Sequence, residues 1–398
     1  MMFLEFFIWG AWFVTLGTFL GTNLKASGAE TAAVFSTQSW GAIIAPFIIG
    51  LIADRYFNAE RILGVLHLVG AFLMYQMYQS SDLSSFYIYV FSYMVLYMPT
   101  LALVNSVAFN QMKDPEKEFS SIRVWGTIGW IVAGLSISYV FHWDSVESLA
   151  SGMLKNTFLL AGIAALVLGL LSFTLPATPP KVSDEKIKIG DIIGLDALKL
   201  LKDKNFAVFF VSSILICIPL AFYYQNANPF LTESGLENPT GKMAIGQISE
   251  ALFLLLIPVF FSKYGFKKTI LVGMLAWAIR YALFAYGNGG ELSFMLIIGI
   301  ALHGICYDFF FVSGQIYTNS KAGDKYKSAA QGLITLATYG VGMLIGFAVA
   351  GWITDNYKTA TGTINWEMVW IIPAGIALAV FVLFALTFND KNKTEVSH

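Results

Sequence analysis

From Ala251 to Phe261 the chain reads Ala-Leu-Phe-Leu-Leu-Leu-Ile-Pro-Val-Phe-Phe, with no polar side chain. The apolar segment around it, from about 241 to 262, is long enough to cross a bilayer, because ~20 residues at 1.5 Å each match the ~30 Å hydrocarbon core. Such runs recur along the whole sequence, separated by short polar punctuation. They mark twelve candidate spans at roughly 2–22, 30–53, 61–79, 84–110, 120–141, 155–176, 205–231, 242–262, 268–287, 292–318, 328–353 and 366–388. Only 12% of the residues are charged and 57% are hydrophobic, whereas soluble domains carry about a quarter charged residues. The expected fold class is an all-α membrane protein with twelve transmembrane helices.

The spans fall into two sets of six. Expected boundaries are an N-terminal six-helix bundle over 1–176, a cytoplasmic linker over 177–204, a C-terminal six-helix bundle over 205–390 and a cytoplasmic tail over 391–398. The linker holds Lys181, Lys186, Lys188, Lys199, Lys202 and Lys204, and its stretch Ile187 to Leu201 is amphipathic enough to lie on a membrane surface. With both termini in the cytoplasm, eighteen Lys and Arg residues face inward and four face outward, as the positive-inside rule requires. Met1-Met2-Phe3 enters apolar sequence directly and reads as a first membrane helix, not a cleaved signal peptide. A faint internal repeat relates Phe19-Leu20 to Phe230-Leu231, Asp54-Arg55-Tyr56 to Ser262-Lys263-Tyr264, and Gly126 to Gly332. Two halves related by an axis along the membrane normal would produce it. Small residues at Gly129 and Ala133, and at Gly342, Gly346 and Ala350, let helix backbones approach closely. Cys217 and Cys306 lie in separate apolar segments and read as packing residues. There is no basic stripe for nucleic acid.

Function is sought in polar side chains that lipid should exclude. Glu250 falls near the middle of its span, where an acid costs ~2.5–3.5 kcal/mol even on the lenient insertion scale. Gln247 sits one turn earlier on the same face. Arg123, Thr127 and Trp130 form one helical stripe, a guanidinium, a hydroxyl and an indole suited to a hydroxyl cluster with a planar ring above it. Arg123 lies only a turn inside its boundary, so snorkelling to the headgroups is the competing reading. His303 and Tyr307 share a face, and Asp308, one position off, is a second mid-membrane carboxylate. A buried carboxylate can take up and release a proton, although a structural ion pair is the alternative. Tyr224 and Gln225 belong to a run of phenols and amides before Pro229; the amides can bind freed backbone carbonyls or a solute. Glu5, Asn105, Asn110 and Arg280 are further polar positions, with Asn110 expected at an interface and Arg280 as a structural tether.

The segment from Gly50 through Asp54, Arg55 and Arg61 resembles the signature of the major facilitator superfamily, with Phe57 where the usual pattern has glycine. It would form a cytoplasmic latch. Several further segments resemble the nucleoside:proton symporter family of that superfamily: Trp9-Gly10-Ala11-Trp12, Tyr97-Met98-Pro99-Thr100-Leu101, Ile122 to Gly129, Gln247 to Glu250, Arg280 to Gly287, Tyr307 to Phe310, and the ending Val396-Ser397-His398. The resemblance implies nucleoside uptake driven by a proton gradient. It implies that Arg123, Thr127, Gln247 and Glu250 hold the ribose and that Trp130, His303 and Tyr307 pack around the nucleoside. Trp130 and Tyr307 stand where the family pattern has phenylalanine, and His303 where it has tyrosine. Ala221 and Tyr224, with Gln225 one step on, replace the Gln and Asn that read the base, so base preference stays open.

The expected protein is a proton-coupled nucleoside symporter working by alternating access, with Asp308 or Glu250 as the proton carrier. It needs no cofactor beyond the proton gradient. Its partners are nucleoside, protons and the lipid bilayer, and it is expected to be a monomer in the cell inner (plasma) membrane. A proton-coupled sugar or glycoside symporter and a non-transporting membrane sensor are the alternatives. An enzyme is not expected, since no nucleophile–base pair, metal cluster or phosphate loop is recognisable.

Overall fold

The computed structural model describes residues 1–48, 56–180 and 195–389. Regular structure among them is helical, apart from one isolated bridge between Lys358 and Ile364. In lipid every backbone N–H and C=O needs an internal partner, and a helix supplies it within one segment. The helices are α1 (Met2–Trp12), α2 (Leu16–Thr22), α3 (Gly28–Ile48), α4 (Ala59–Gln79), α5 (Leu83–Gln111), α6 (Pro115–Leu135), α7 (Val146–Ala150) and α8 (Asn156–Ser172). They continue as α9 (Lys204–Glu233), α10 (Pro239–Tyr286), α11 (Ser293–Ala301), α12 (His303–Tyr307), α13 (Ser313–Thr335), α14 (Met343–Asn356) and α15 (Trp366–Thr387). Wider π-helical turns join several of them, at Ser136–Val140, Asp308–Val312 and Leu336–Gly342.

Nine helical stretches among the described residues are long and apolar enough to cross a membrane. The expected spans at 242–262 and 268–287 are merged in the 48 residues of α10, which turns at Gly265 with φ 73° and ψ 173°. That backbone region is essentially closed to residues with a Cβ. α3 and α6 have the length, 21 residues each, but a more polar composition. Gly50, Asp54 and Arg55 of the expected latch lie outside the described residues, while Arg61 is exposed in the first turn of α4.

The chain divides into two compact units, Met1–Ile187 with Glu237–Ala244, and Lys188–Leu236 with Ile245–His398. In the first, α1 packs on α6 and α8, α4 on α5 and α8, and α3 on α5. A Cβ at Gly129 would lie 2.1 Å from the Phe3 carbonyl oxygen, so glycine is what lets α6 touch the backbone of α1. Trp12, Phe19, Phe86, Tyr93 and Phe158 fill the interior with ring centroids 4.7–5.9 Å apart. The first turn of α10 groups with this unit. Its Thr240 N–H donates to the Asp144 carboxylate at 3.1 Å and its Gly241 N–H to the Ser138 hydroxyl at 2.7 Å, placing an anion at a helix N-terminus.

In the second unit α9 packs on α14 and α15. Gly342 and Gly346 abut α9 at Cys217 and Ala221, the small-residue contact expected for that helix. On α10, Leu252, Leu255, Leu256 and Val259 are exposed along one face. In a helix that carries Glu250 elsewhere, that face suits acyl chains.

Candidate functional site

Glu250 is positioned by a close crossing inside the second unit. A Cβ at Gly304 of α12 would fall 2.5 Å from the Ser249 carbonyl carbon and oxygen, and one at Gly246 would meet the His303 side chain at 3.2 Å. Two glycines therefore let α10 and α12 nearly touch. The Ser249 hydroxyl closes the crossing by donating to the Ala301 carbonyl.

This crossing places His303 Nε2 3.7 Å from a Glu250 carboxylate oxygen. The carboxylate side chain is 30% exposed, while the imidazole is buried. On the other edge of the ring, Arg280 Nη1 lies 3.0 Å from His303 Nδ1. A guanidinium only donates, so Nδ1 accepts and the imidazole proton sits on Nε2, toward Glu250. Arg280 is fully buried, with its guanidinium 3.6 Å from the Tyr223 ring centroid, and its Nε and Nη2 have no hydrogen-bond partner among the described residues. The expected tether is thus the residue that sets which His303 nitrogen carries the proton on the side of Glu250. Sequence spacing gave no hint of it, since Arg280 and His303 lie in different helices.

Other expected residues gather around Glu250. Tyr224 interacts electrostatically with Tyr307, Glu250 and Arg280. The Tyr307 hydroxyl bonds the hydroxyl of Tyr339, a residue that sequence reasoning missed. Asp308 opens a π turn, is buried, interacts with the charge of Glu250, and keeps Oδ2 without a partner among the described residues. Such wide turns are frequent at functional sites. Gln247 is half-buried one turn before Glu250. Gln225 differs from its neighbours: it is 1% exposed and both amide atoms lack a partner among the described residues, so its side chain is enclosed by packing. Asn226 donates to Thr354 at 3.1 Å and fastens α9 to α14.

In the first unit, the Arg123 guanidinium stacks 4.0 Å from the Phe6 ring centroid. Its Nη1 lies 2.6 Å from where a Gly126 Cβ would be. The side chain therefore runs toward the middle of α6 and not back to its first turn, the reverse of a snorkelled pose. Thr127 and Trp130 are half-buried on the same helix. Trp130 meets Trp9 edge-on at 5.5 Å, and Trp9 meets Tyr97 at 5.7 Å. Asn110 donates to the Ala177 carbonyl at 3.3 Å in an exposed position.

A second buried polar group in this unit centres on Glu5, which is fully buried. Its Oε2 lies 2.8 Å from His67 Nε2, its Oε1 2.5 Å from the Thr100 hydroxyl, and its backbone carbonyl accepts from the Tyr97 hydroxyl at 2.7 Å. His67 and Thr100 were not among the expected polar positions. Among the described residues no cluster of His, Cys, Asp and Glu could hold a metal ion.

Comparison with known proteins gives the family. A family model described as "Nucleoside H+ symporter" matches residues 1–393. The chain is 42% identical over 401 residues to the putative nucleoside transporter YegT of Escherichia coli (strain K12), covering 98% of this chain and 93% of that one. It is 31% identical over 408 residues to the nucleoside permease NupG of the same strain, covering 98% and 95%. A crystal structure of NupG superimposes with a TM-score of 0.86, covering 98% of both chains. The POT family transporter PepTSo shares the fold at a TM-score of 0.73 and 16% identity, covering 97% of this chain and 95% of that one. The fold is thus that of an all-helical membrane transporter of the major-facilitator type, and the chain belongs to the nucleoside:H+ symporter family.

Proposed function

We propose that this protein carries nucleosides across a membrane together with protons, exposing its binding residues alternately to the two sides. The observation that carries the reading is the grouping of Glu250, His303, Tyr307 and Asp308 in one unit, with two carboxylates in electrostatic contact and one of them half-open. Glu250 and Gln247 supply acceptors and donors for ribose hydroxyls. His303 turns its Nε2 toward the carboxylate, and Tyr224 and Tyr307 offer ring faces. Arg123, Thr127 and Trp130 are the nucleoside-contacting set of the first unit. Gln225, enclosed in packing, is a weaker candidate for base recognition than Tyr224.

Asp308 is the proton carrier in this proposal and Glu250 chiefly a ligand. Protonation of Asp308 changes the charge beside Glu250, and a proton shifts a conformational equilibrium only if it binds the two states unequally. Twelve crossings, cytoplasmic termini, residence in the inner membrane, a monomeric state and a latch of Gly50, Asp54, Arg55 and Arg61 complete the reading. The turn at Gly265 supports separating α10 into two crossings.

Proteoliposomes test the whole. The purified protein should exchange labelled nucleoside by counterflow and accumulate it when an inward proton gradient is imposed. Asp308→Asn should abolish accumulation and keep exchange. Accumulation by Asp308→Asn against a gradient would remove the assignment. Exchange of sugars but not nucleosides would select the glycoside alternative, and no counterflow at all would indicate a sensor.

A further inference from the structure

The first unit contains a buried acid and a buried imidazole that the mechanism above does not use. The Thr100 hydroxyl has one hydrogen and two oxygen neighbours, Glu5 Oε1 at 2.5 Å and the Tyr97 carbonyl at 2.6 Å. The carbonyl can only accept. If the hydroxyl donates to the carbonyl, the contact to Oε1 needs a hydrogen from Glu5, which is then a neutral acid. If it donates to Oε1, Glu5 is an anion in a site with no solvent exposure. His67, its ion-pair partner among the described residues, then offsets the charge as an imidazolium. Both arrangements leave the pair neutral and contain one proton more than a carboxylate facing a neutral ring. Without that proton, a bare negative charge stays buried, which is costly.

Two cations stand near, and neither forms an ion pair with the Glu5 carboxylate among the described residues. α5 presents the phenols of Tyr93 and Tyr97. α6 presents Arg123, whose charge acts on Tyr97, and whose guanidinium lies on Phe6. The amino group of Met1 interacts with Glu5 through space. α8 has no ionisable side chain along its length.

We infer that Glu5 and His67 form a proton-binding site in the first unit, holding one exchangeable proton and separate from Asp308 and Glu250. Tyr97 links this site to Arg123: its hydroxyl bonds the Glu5 backbone, and it interacts with the guanidinium. Loading the proton removes a negative charge near Arg123 and leaves that cation more available to an electron-rich ligand. This effect on transport rests on the symport reading above; the binding of the proton does not.

The test is infrared difference spectroscopy of the purified full-length protein during a pH titration without nucleoside. It starts from Asp308→Asn, so that the Asp308 carboxyl contributes nothing. The titrating carboxylic C=O absorption should lose one component when Glu5→Gln is added, and the midpoint of that component should move when His67→Gln is added instead. Glutamine keeps the shape of Glu5 and its bond to Thr100, and thermal melts check that each variant is folded. An absorption that loses no component with Glu5→Gln overturns the inference, as does a component whose midpoint is unmoved by His67→Gln. A lowered melting temperature with an unchanged spectrum also overturns it, because that is the signature of packing alone. Counterflow by the otherwise wild-type protein, measured in parallel, reports independently on the symport reading. Glu5→Gln in that protein should flatten the pH dependence of nucleoside affinity.

Discussion

Arg280 donates to His303 Nδ1 at 3.0 Å, and this bond decides which nitrogen of the ring faces Glu250. The imidazole then turns its Nε2 proton toward the carboxylate, 3.7 Å away, without needing a charge of its own. Replacing Arg280 with methionine should free the ring to turn or to change tautomer. We expect nucleoside affinity to fall about tenfold, equivalent to ~1.4 kcal/mol. Titration calorimetry on the detergent-solubilised protein measures it, and unchanged affinity in a folded variant would separate Arg280 from the site.

Glu250 and Gln247 should differ in weight. A hydrogen bond to a charged group contributes ~1.5–3 kcal/mol and a neutral one ~0.5–1.5 kcal/mol. Glu250→Ala should therefore weaken nucleoside binding by roughly ten- to a hundredfold, and Gln247→Ala by less than about tenfold. Thermal shift against a nucleoside series gives the order directly, and the reverse order would contradict the assignment of Glu250 as the principal hydroxyl ligand.

The crossing at Gly304 has no room for a methyl group. Alanine there would press on the Ser249 carbonyl at 2.5 Å and the Glu250 nitrogen at 2.6 Å, both backbone atoms. Overpacking of this kind costs ~1–3 kcal/mol, and it should also displace Glu250 and reduce binding. Gly332, in α13, has nothing within 4 Å of a built Cβ. Gly332→Ala should leave stability unchanged or raise it by ~0.4–1 kcal/mol through a stiffer unfolded chain. Melting curves of the two variants side by side check the contrast.

Asp203 caps α9, accepting from the backbone N–H groups of Asn205 and Phe206, and pairs with Lys321 at 3.5 Å. Its burial pushes the carboxyl up, but the Phe206 N–H, the Lys321 ammonium and the Asn205 N–H together hold it below the ordinary carboxylate value. A depressed value in the folded state means that the stabilisation is complete above the unfolded value of 3.8. It fades as pH falls below 3.8 and through the lower folded value. The melting temperature of wild type should exceed that of Asp203→Ala at neutral pH, and the gap should close on acidification through that window.

Much of this molecule is visible in its residue order. Apolar runs of about twenty residues mark membrane helices, and Glu250 and Asp308 stand out because lipid tolerates so few acids. Gly129 and Gly346 announce close helix contacts for the same reason: small residues in such helices have few other uses. What stays hidden depends on pairing across distance. Glu5 and His67 are 62 positions apart, and nothing in either neighbourhood names the other. Arg280 reads as an end-of-helix anchor until the fold sets His303 beside it. Gln225 looks like a ligand by type, and only the packing of α9 shows that it is enclosed. The break at Gly265 is legible as the polar stretch from Ser262 to Lys268 between two expected spans, and only its backbone angle is not.

The wide turn from Asp308 to Val312 has one more consequence. An ordinary helix advances about 100° per residue, and a broad i→i+5 turn winds less per residue, so it takes up one surplus residue and keeps the facing of all that follows. Deleting one residue between Phe309 and Val312 would let the hydrogen bonding become regular and leave Gln315 and the rest of α13 facing nearly as before. Chain length is thus forgiving at this one turn, whereas a deletion in the regular part of α13 would rotate every later side chain by about 100°.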